Sequence, residues 1–584
     1  MRKSLVFGSA LVWSAMVTAH AFAFEAFKEV TGNPLGAASE WTNYLRLDDL
    51  DGDGDLDVIV PNCGGFFSSP VAQPFRVYKN DGKATFTESP ELLGGAFSAA
   101  IRVVDVGDID GDGDLDIFAP SASGAPDRLF VNGGKGAFID EAKIRIGSMS
   151  HSAGVRFVDV EADGDLDLLV AGGYAASEPV LARLYLNDGK GVFTEALGKL
   201  PSQGPQDIDD VDVFDADRDF DLDVLLNSHG GKPALWLNDG NGAFTDATVG
   251  LGTNGDGLKY GPTSCDVDGD GDLDLWIDNT GPDYTEALLI NDGKGVFVDE
   301  TSARVTGNPS SDDNGVVCAD VDVDGDFDAI VVALSGTERV LLNDGKGHFT
   351  HVGGFPPIGD STLWLDAGDL NGDGRLDAVT GQGENGDLKN RVYLGTGDNA
   401  VDTRAPEVVM GPLPAMFVDG QSVTVRMRVT DRVLGDSGSR VRAELRVTVD
   451  GVAAPSTAAR FVGGDLYQAS VIATPGVAVL LEACATDMQG NSGCSAKTMV
   501  TGPGSATAGT STGAGGGASA SATSGTAQGV GGGDPSVGGS AEDGGCSCSV
   551  DGRARGSRGW LGGWVAFALV GLRRRRQVSL RRGA

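Results

Sequence analysis

Residues 266–276, DVDGDGDLDLW, place an aspartate at every second position from Asp266 to Asp274. Two carboxylates about 4 Å apart repel each other by roughly 1 kcal/mol in water and about 4 kcal/mol at an effective dielectric constant near 20, so convergence requires a cation. Calcium takes six to eight oxygen ligands, and this spacing offers carboxylates at positions 1, 3, 5 and 9 with a backbone carbonyl at position 7. The stretch therefore predicts a calcium-binding loop that turns at Gly271. It is not an EF-hand, because Leu275 and Trp276 begin a strand instead of leading to a Glu at position 12.

The loop recurs seven times, and this recurrence decides the fold. A single acidic stretch is more often solvated surface, whereas repeats of about fifty residues indicate a solenoid, propeller or array. In the third unit, residues 154–160 and 166–172 predict strands on either side of the loop, and residues 182–196 predict two more strands joined by an Asn-Asp-Gly turn. Four antiparallel strands per unit predict an all-β, seven-bladed β-propeller. The first loop positions are Asp49, Asp108, Asp159, Asp215, Asp266, Asp320 and Asp369.

The two ends of the repeat region are expected to close the ring. The last unit ends in RVYLGTGDNAVDTRAP (391–406) and lacks a final strand, while FEAFKEVTG (24–32) resembles the missing piece. We therefore expect the propeller to span residues 24–402, with the N-terminal segment completing the last blade.

The repeat pattern resembles the FG-GAP/VCBS repeat family, which includes bacterial surface proteins and is related to the calcium-binding blades of integrin α-subunits. The resemblance implies up to seven calcium ions that stabilise the blades and take no part in a reaction. In the fourth loop Phe220 replaces the turn glycine, which leaves metal binding there open. The implied metal-binding residues, loop by loop, are Asp49, Asp51, Asp53, Asp55 and Asp57; Asp108, Asp110, Asp112, Asp114 and Asp116; Asp159, Glu161, Asp163, Asp165 and Asp167; Asp215, Asp217, Asp219, Asp221 and Asp223; Asp266, Asp268, Asp270, Asp272 and Asp274; Asp320, Asp322, Asp324, Asp326 and Asp328; and Asp369, Asn371, Asp373, Arg375 and Asp377.

The remaining segments predict an exported, anchored protein. Residues 1–23 have the basic start, apolar run and small residues of a secretory signal peptide. Residues 403–500 alternate apolar and polar positions and predict a small immunoglobulin or fibronectin-like β-sandwich, in which a disulfide between Cys484 and Cys494 is favoured over free thiols. Residues 501–545 are a Gly/Ser/Ala/Thr-rich flexible linker. Cys265 and Cys318 are expected to be buried free thiols, and Cys63 has no evident partner.

Residues 546–584 contain a cysteine pair, a short apolar run at 560–572 and an arginine cluster at 573–576. A thirteen-residue helix spans only about 20 Å, less than the roughly 30 Å hydrocarbon core. The arrangement resembles the MYXO-CTERM sorting signals of myxobacteria, which implies processing near Cys546 or Cys548 and attachment at the cell surface. The alternative is a weak ordinary membrane tail, which would place the protein at the same location. In both cases only this tail is expected to contact the membrane.

Charge and composition narrow the function. The 44 basic and 83 acidic residues give a net charge of −39, which disfavours nucleic acid as a partner. No catalytic residues are predicted, because the five histidines have no triad or metal-ligand spacing and no phosphate loop is present. Paired carboxylates for glycoside cleavage cannot be identified by spacing alone, so a polysaccharide-active enzyme on the same propeller stays open as the alternative.

The longer connections between strands are expected at the end of the ring away from the acidic loops, and loops on a rigid scaffold usually carry recognition. Their aromatic residues are expected to be exposed and suit glycan or extracellular protein ligands. The alternative is that each aromatic residue packs only against its own loop. The sequence thus predicts an exported, cell-surface, calcium-binding adhesion or recognition module. The candidate ligand-binding residues are Trp41, Phe66, Phe67, Tyr174, Tyr260 and Tyr284.

Overall fold

A computed structural model describes residues 24–501, except 66–68, 173–180, 203, 205–207, 229–231, 252–259, 281–283, 385, 415–419, 432–439 and 473–476. The described part is built almost entirely of β-strands. Its helical elements are two single-turn α-helices, α1 (Ala142–Arg145) and α2 (Thr301–Arg304), and two 3₁₀ turns at Pro90–Leu93 and Thr248–Leu251. None of these helices is long and apolar enough to cross a membrane. The predicted signal peptide, most of the linker, and the tail with Cys546 and Cys548 lie outside the described residues.

Seven sheets, each built on antiparallel strands, follow one another along residues 24–395, as the repeats predict. The first three blades are β3–β8, β9–β12 and β13–β16, and each acidic loop connects the innermost strand to the second strand of its blade. The strands up to this point are β1 (Phe24–Glu25), β2 (Phe27–Glu29), β3 (Arg46–Asp48), β4 (Asp57–Val60), β5 (Cys63–Gly64), β6 (Val71–Lys79), β7 (Thr87–Glu88), β8 (Phe97–Ala99), β9 (Asp105–Gly107), β10 (Asp116–Ala119), β11 (Arg128–Asn132), β12 (Phe138–Asp140), β13 (Ser152–Val158), β14 (Asp167–Gly172), β15 (Arg183–Asn187) and β16 (Phe193–Glu195).

Blades 4 and 5 consist of β17–β20 and β21–β24, blade 6 is built on β26–β29, and blade 7 contains β30–β32. Their strands are β17 (Ile208–Phe214), β18 (Asp223–Ser228), β19 (Ala234–Asn238), β20 (Phe244–Asp246), β21 (Tyr260–Cys265), β22 (Asp274–Thr280), β23 (Thr285–Asn291), β24 (Phe297–Asp299), β25 (Val305–Thr306), β26 (Asp313–Ala319), β27 (Asp328–Ala333), β28 (Arg339–Leu342), β29 (Phe349–Gly354), β30 (Thr362–Gly368), β31 (Asp377–Gln382) and β32 (Arg391–Gly395).

The N-terminal segment completes the last blade. Strand β2 pairs antiparallel with β32, with Phe27 opposite Gly395, and supplies the fourth strand of blade 7. Strand β1 extends the contact by pairing parallel with β29 of blade 6. The expected ring closure is therefore present, and it ties the two ends of the repeat region together.

Apolar side chains from adjacent blades form the core between the sheets. In blade 4 and blade 5, for example, Leu225 and Leu275 are fully buried in one cluster with Phe214 and Phe297. The second strand of each blade is buried on both faces, which explains its nearly continuous apolar sequence.

Cys265 and Cys318 form a disulfide, so the expectation of free thiols is wrong. The innermost strands β21 and β26 lie side by side in blades 5 and 6, and the two Cα atoms are 6.5 Å apart, within disulfide reach. The different spacing of the two cysteines from their acidic loops does not prevent this approach. Among the described residues Cys63 is a buried free cysteine.

Residues 407–501 form a β-sandwich of two sheets around one apolar core. One sheet has the order β33-β34-β39-β38, and the other has the order β36-β35-β40-β41 with β37 and β42 at its margins. Cys484 and Cys494 face each other in β40 and β41 and form a disulfide, the pairing expected from the sequence. The strands are β33 (Glu407–Met410), β34 (Ser422–Thr430), β35 (Arg442–Val449), β36 (Val452–Ala453), β37 (Thr457–Ala458), β38 (Arg460–Gly463), β39 (Leu466–Ile472), β40 (Ala478–Thr486), β41 (Ser492–Cys494) and β42 (Thr498–Thr501).

Candidate metal centres

The acidic loops and the Asn-Asp-Gly turns lie at the same end of the ring, which we call the loop end. In blade 1 the carboxylate of Asp55, at position 7 of its loop, packs against Gly82 of the turn. A Cβ on Gly82 would lie 2.5 Å from Asp55 Oδ1, and Gly82 has a left-handed φ of +70°. Both facts require glycine there. The position 7 side chain thus joins the loop to the turn.

The carboxylate at position 1 holds its own loop closed. In the first loop Asp49 Oδ1 accepts hydrogen bonds from the backbone N–H groups of Gly52 and Asp53, at 2.9 and 3.1 Å, and Oδ2 accepts one from Gly54 at 2.9 Å. In the fifth loop Asp266 accepts the corresponding bonds from Gly269 and Gly271. These local side chain to backbone bonds fix the loop shape before any ligand is considered.

Carboxylate oxygens at position 3 are buried without a hydrogen-bond partner. This holds for Oδ1 of Asp51, Asp110, Asp217 and Asp268. In each of these four loops, three ligand residues place carboxylate oxygens within 4.8 Å of one another. A buried, unpaired carboxylate oxygen is costly, and hard oxygen donors at such spacing are those that calcium takes. The side chains therefore fit a calcium ion.

The aspartate at position 9 is buried in every loop and bonds the backbone on two sides. Asp57 Oδ2 accepts the N–H of Leu50 at 3.2 Å, and Oδ1 accepts the N–H of Asn80 at 2.9 Å. Burial raises the pKa of Asp57 to about 7 despite these bonds. A cation in the loop would favour the charged form and lower this pKa. Burial likewise raises the pKa to about 7 for Asp116 and Asp377, to about 8 for Asp167 and Asp274, and to about 9 for Asp223 and Asp328.

Sequence reasoning missed the role of the asparagine that starts each Asn-Asp-Gly turn. Asn238 Nδ2 donates to the carbonyl of Leu222 in its own blade at 3.3 Å and to that of Val160 in the preceding blade at 2.9 Å. Asn80 of blade 1 donates to the carbonyl of Leu370 in blade 7 at 2.9 Å, so these bonds cross the ring closure too. The recurrence of Asn at this position was the available signal. The same inter-blade bond is made by Asn132, Asn187, Asn291 and Asn343.

The β-sandwich packs on the loop end of the propeller, over the third and fourth loops. Arg428 Nη2 lies 2.6 Å from Asp215 Oδ2, and Arg426 Nη1 lies 2.5 Å from Asp221 Oδ1. The Asp159 N–H donates to the carbonyl of Val462 at 2.8 Å. The acidic loops are therefore a docking surface for arginines of the second domain as well as candidate metal ligands.

Phe220 occupies the position of the turn glycine in the fourth loop without changing the loop. It adopts a left-handed φ of +69°, and its N–H bonds Asp215 Oδ2 at 3.1 Å, as the glycine N–H does elsewhere. This φ costs a bulky residue about 1–2 kcal/mol. The ring packs under the Arg428 guanidinium, 5.6 Å from its centroid, and against Gly411. Phe220 therefore serves the contact with the sandwich.

The seventh loop also keeps its shape despite its altered side chains. Asn371 Nδ2 donates to Asp377 Oδ2 at 3.0 Å. The Arg375 side chain donates hydrogen bonds to the carbonyls of Thr396 and Asn399. At this position only the backbone carbonyl is expected to act as a metal ligand, so the arginine side chain is compatible with the loop.

The predicted aromatic ligand residues do not form one group. Trp41 is 8% exposed and packs against Leu334 and Leu363, so the expectation that it is exposed is wrong. Its ring fills the space left by Gly383, where a Cβ would lie 2.4 Å from it. Tyr284 is 45% exposed. The side chain of Tyr260, and Phe66, Phe67 and Tyr174, lie outside the described residues.

Residues 49–119, 215–277 and 320–380 match the FG-GAP-like repeat family. Together with the ring of blade sheets, these matches define a β-propeller that contains FG-GAP-like repeats. No curated protein has significant sequence similarity to the chain. The crystal structure of BBS1N in complex with ARL6DN, soaked with lead, is similar at 11% identity, covering 65% of this chain and 99% of that chain with a TM-score of 0.38. A Salmonella alpha-2-macroglobulin mutant is similar at 12% identity, covering 80% of this chain and 33% of that chain with a TM-score of 0.14.

Proposed function

We propose that the protein is an exported propeller that is stabilised by calcium in its acidic loops and recognises a glycan or extracellular protein at the end of the ring opposite the loops. The observation that carries this proposal is the position of the sandwich. Arg426 and Arg428 hold it on the loop end. Recognition therefore falls to the connections at the other end, where Tyr284 is exposed.

Calcium is proposed because the loops supply converging hard oxygens, including buried oxygens without partners at position 3. Ligands that bind only the folded state stabilise it by mass action. We expect EDTA to lower the melting temperature and elemental analysis to find several calcium ions per chain. Asp268→Asn should reduce the stoichiometry by one, and the exposed control Asp450→Asn should not. Calcium-free protein with an unchanged melting temperature would refute this part of the proposal.

Ligand recognition is tested with glycan and protein arrays probed with the full chain in calcium. Tyr284→Ala should weaken binding and leave the melting temperature nearly unchanged, because Tyr284 is 45% exposed and belongs to none of the buried core clusters of the described residues. The control is Val249→Ala, an exposed residue next to Gly250, which packs on Gly295 at the loop end. Equal binding by both variants would contradict the assignment of the recognition end. Release of product from a polysaccharide would instead favour an enzyme.

Attachment to the cell surface through the tail is proposed from the sequence at 546–584. Fractionation of cells that express the full chain tests it. The double variant Cys546→Ser, Cys548→Ser should release the protein to the medium or leave it unprocessed, whereas Cys63→Ser should not. Unchanged attachment of the double variant would exclude processing at these cysteines.

A further inference from the structure

Three blades carry an acidic residue at the same position, five residues before the asparagine that starts the turn after the third strand. These residues are Asp127, Glu286 and Glu338, and each is buried. Asp127 Oδ1 accepts the Ser121 N–H at 2.8 Å, and Oδ2 accepts the Ser152 hydroxyl at 2.7 Å. Both carboxylate oxygens of Asp127 therefore have partners.

Both carboxylate oxygens of Glu286 have partners as well. Its Oε1 lies 3.2 Å from Arg339 Nη2, and its Oε2 accepts a hydrogen bond from the Asn308 amide. The equivalent arginine of the next blade, Arg391, does not serve Glu338. Arg391 Nε instead lies 2.8 Å from Asp360 Oδ2, and Arg391 Nη1 pairs with Glu29.

Glu338 is left with one oxygen that has no partner. Its Oε1 accepts the Thr362 hydroxyl, whereas Oε2 is buried without a hydrogen bond. The residue is 1% exposed, so bulk water does not compensate it. An isolated buried carboxylate oxygen of this kind carries a large desolvation cost.

Three further oxygens where blade 6 meets blade 7 are buried without partners: Asp360 Oδ1, Ser361 Oγ and Tyr393 Oη. Ser361 and Tyr393 are 2% and 0% exposed. Asp360 and Ser361 directly precede Thr362, which bonds Glu338. Tyr393 lies opposite Glu29 of β2 and packs in one buried cluster with Val340, two residues after Glu338. Burial, and next the charge of Glu338, raise the pKa of the Tyr393 phenol.

We propose that Glu338 Oε2, Asp360 Oδ1, Ser361 Oγ and Tyr393 Oη form a divalent cation site between blades 6 and 7, at the end of the ring opposite the acidic loops. The one guanidinium of Arg391 pairs with the carboxylates of Asp360 and Glu29, and Glu338 adds a third carboxylate, so a divalent ion balances the charge. All four donors are hard oxygens, which suit calcium or magnesium better than a transition metal.

The position at the opposite end follows from the strand direction. Thr362 begins β30, and the seventh acidic loop follows the other end of that strand. The site is therefore separate from the loops, and its test does not depend on whether the loops bind calcium.

The experiment compares Glu338→Gln with Asp127→Asn, the equivalent acid whose oxygens are already satisfied. Calcium per chain is measured by elemental analysis after equilibration in calcium buffer. Terbium is then titrated with excitation at the tyrosine band, because Tyr393 would sensitise an ion bound to its phenol. Glu338→Gln should lose one calcium and a fraction of the terbium emission, and Asp127→Asn should lose neither.

Ser361→Ala keeps the test informative if Glu338→Gln fails to fold, because it removes one ligand atom and no charge. It should keep the wild-type circular dichroism spectrum and bind terbium about tenfold more weakly at this site. The proposal is overturned if all three variants bind the wild-type amount of calcium and give the wild-type terbium titration. That result would mean that bound water and a protonated Glu338, and not a cation, satisfy these buried oxygens.

Discussion

Arg428 is the residue whose loss should most disturb the contact between sandwich and propeller. Its guanidinium lies 2.6 Å from Asp215 Oδ2 and 3.1 Å from Asp465 Oδ2, and it donates to the carbonyl of Gly271 at 2.9 Å. Only 11% of the Arg428 side chain is exposed, and the Asp215 side chain is fully buried. Arg428→Gln would remove the cation that pairs with the buried carboxylates of Asp215 and Asp465, and removing one partner of a buried pair costs about 3–5 kcal/mol.

The assay is urea unfolding of the full chain, combined with limited proteolysis of the segment before the sandwich. A loss of this size moves the urea midpoint of the affected transition down by about 1 M or more. Arg446→Gln is the matched control, because Arg446 pairs with Glu444 on the exposed side of the same domain and such pairs contribute about 0–1 kcal/mol. Equal midpoints and equal cleavage for the two variants would refute the argument.

A second variant separates the lost attraction from the orphaned charge. The double variant Arg428→Gln, Asp465→Asn removes the cation together with one of the carboxylates that it neutralises. Because an unpaired buried charge causes most of the penalty, the double variant should be more stable than Arg428→Gln alone. The effect of Arg428→Gln should also be larger in EDTA, since calcium in the fourth loop would neutralise part of the charge of Asp215.

Three other measurements test the loop end. Asn238→Ala removes three side-chain hydrogen bonds and leaves two buried carbonyls and the Gly242 N–H without them, so it should cost about 1–3 kcal/mol of unfolding free energy in denaturant. The control Asn241→Ala, at an exposed position, should be nearly neutral. In EDTA the position 9 carboxyls, such as Asp223 with a folded pKa of about 9, keep their proton at pH values above the unfolded pKa near 4. The folded state therefore binds more protons than the unfolded state, and the melting temperature should fall from pH 5 to pH 9. A rise in melting temperature over this range would contradict the argument. Peptide mapping without reductant should recover Cys265 joined to Cys318, and recovery of both as alkylated thiols would exclude the bond.

The features that the sequence predicted correctly are those that repeat along the chain. Seven acidic loops at a period near fifty gave the number of blades, and the segment at 24–32 completed the last blade because its residues match the strand missing there. Local patterns suffice for such features, since each blade is one supersecondary unit that packs on its neighbours.

Features that depend on contacts between distant residues were not predictable in this way. The bond between Cys265 and Cys318 depends on how closely two innermost strands approach near the ring axis. The inter-blade bonds of Asn238 depend on the register between sheets. Trp41 was expected at the surface because it lies in a loop, but a neighbouring glycine provides space for its ring in the core.

The docking of the sandwich explains one departure of the loops from the repeat, that of Phe220. Seven loops have two positions each with left-handed φ, and these hold glycine except at Ala162, Arg218, Phe220 and Val323. A residue other than glycine costs about 1 kcal/mol or more there, so random drift should rarely retain it. In each of the three affected loops such a residue makes an interdomain contact: the carbonyl of Ala162 accepts from Gln468, Phe220 packs under Arg428, and the carbonyl of Val323 accepts from Arg404. Phe220 makes its contact with the side chain, so packing against Arg428 offsets part of its strain. Ala162 and Val323 make theirs through backbone carbonyls, as the turn glycine Gly271 does with Arg428, so these contacts do not require the replacement of glycine.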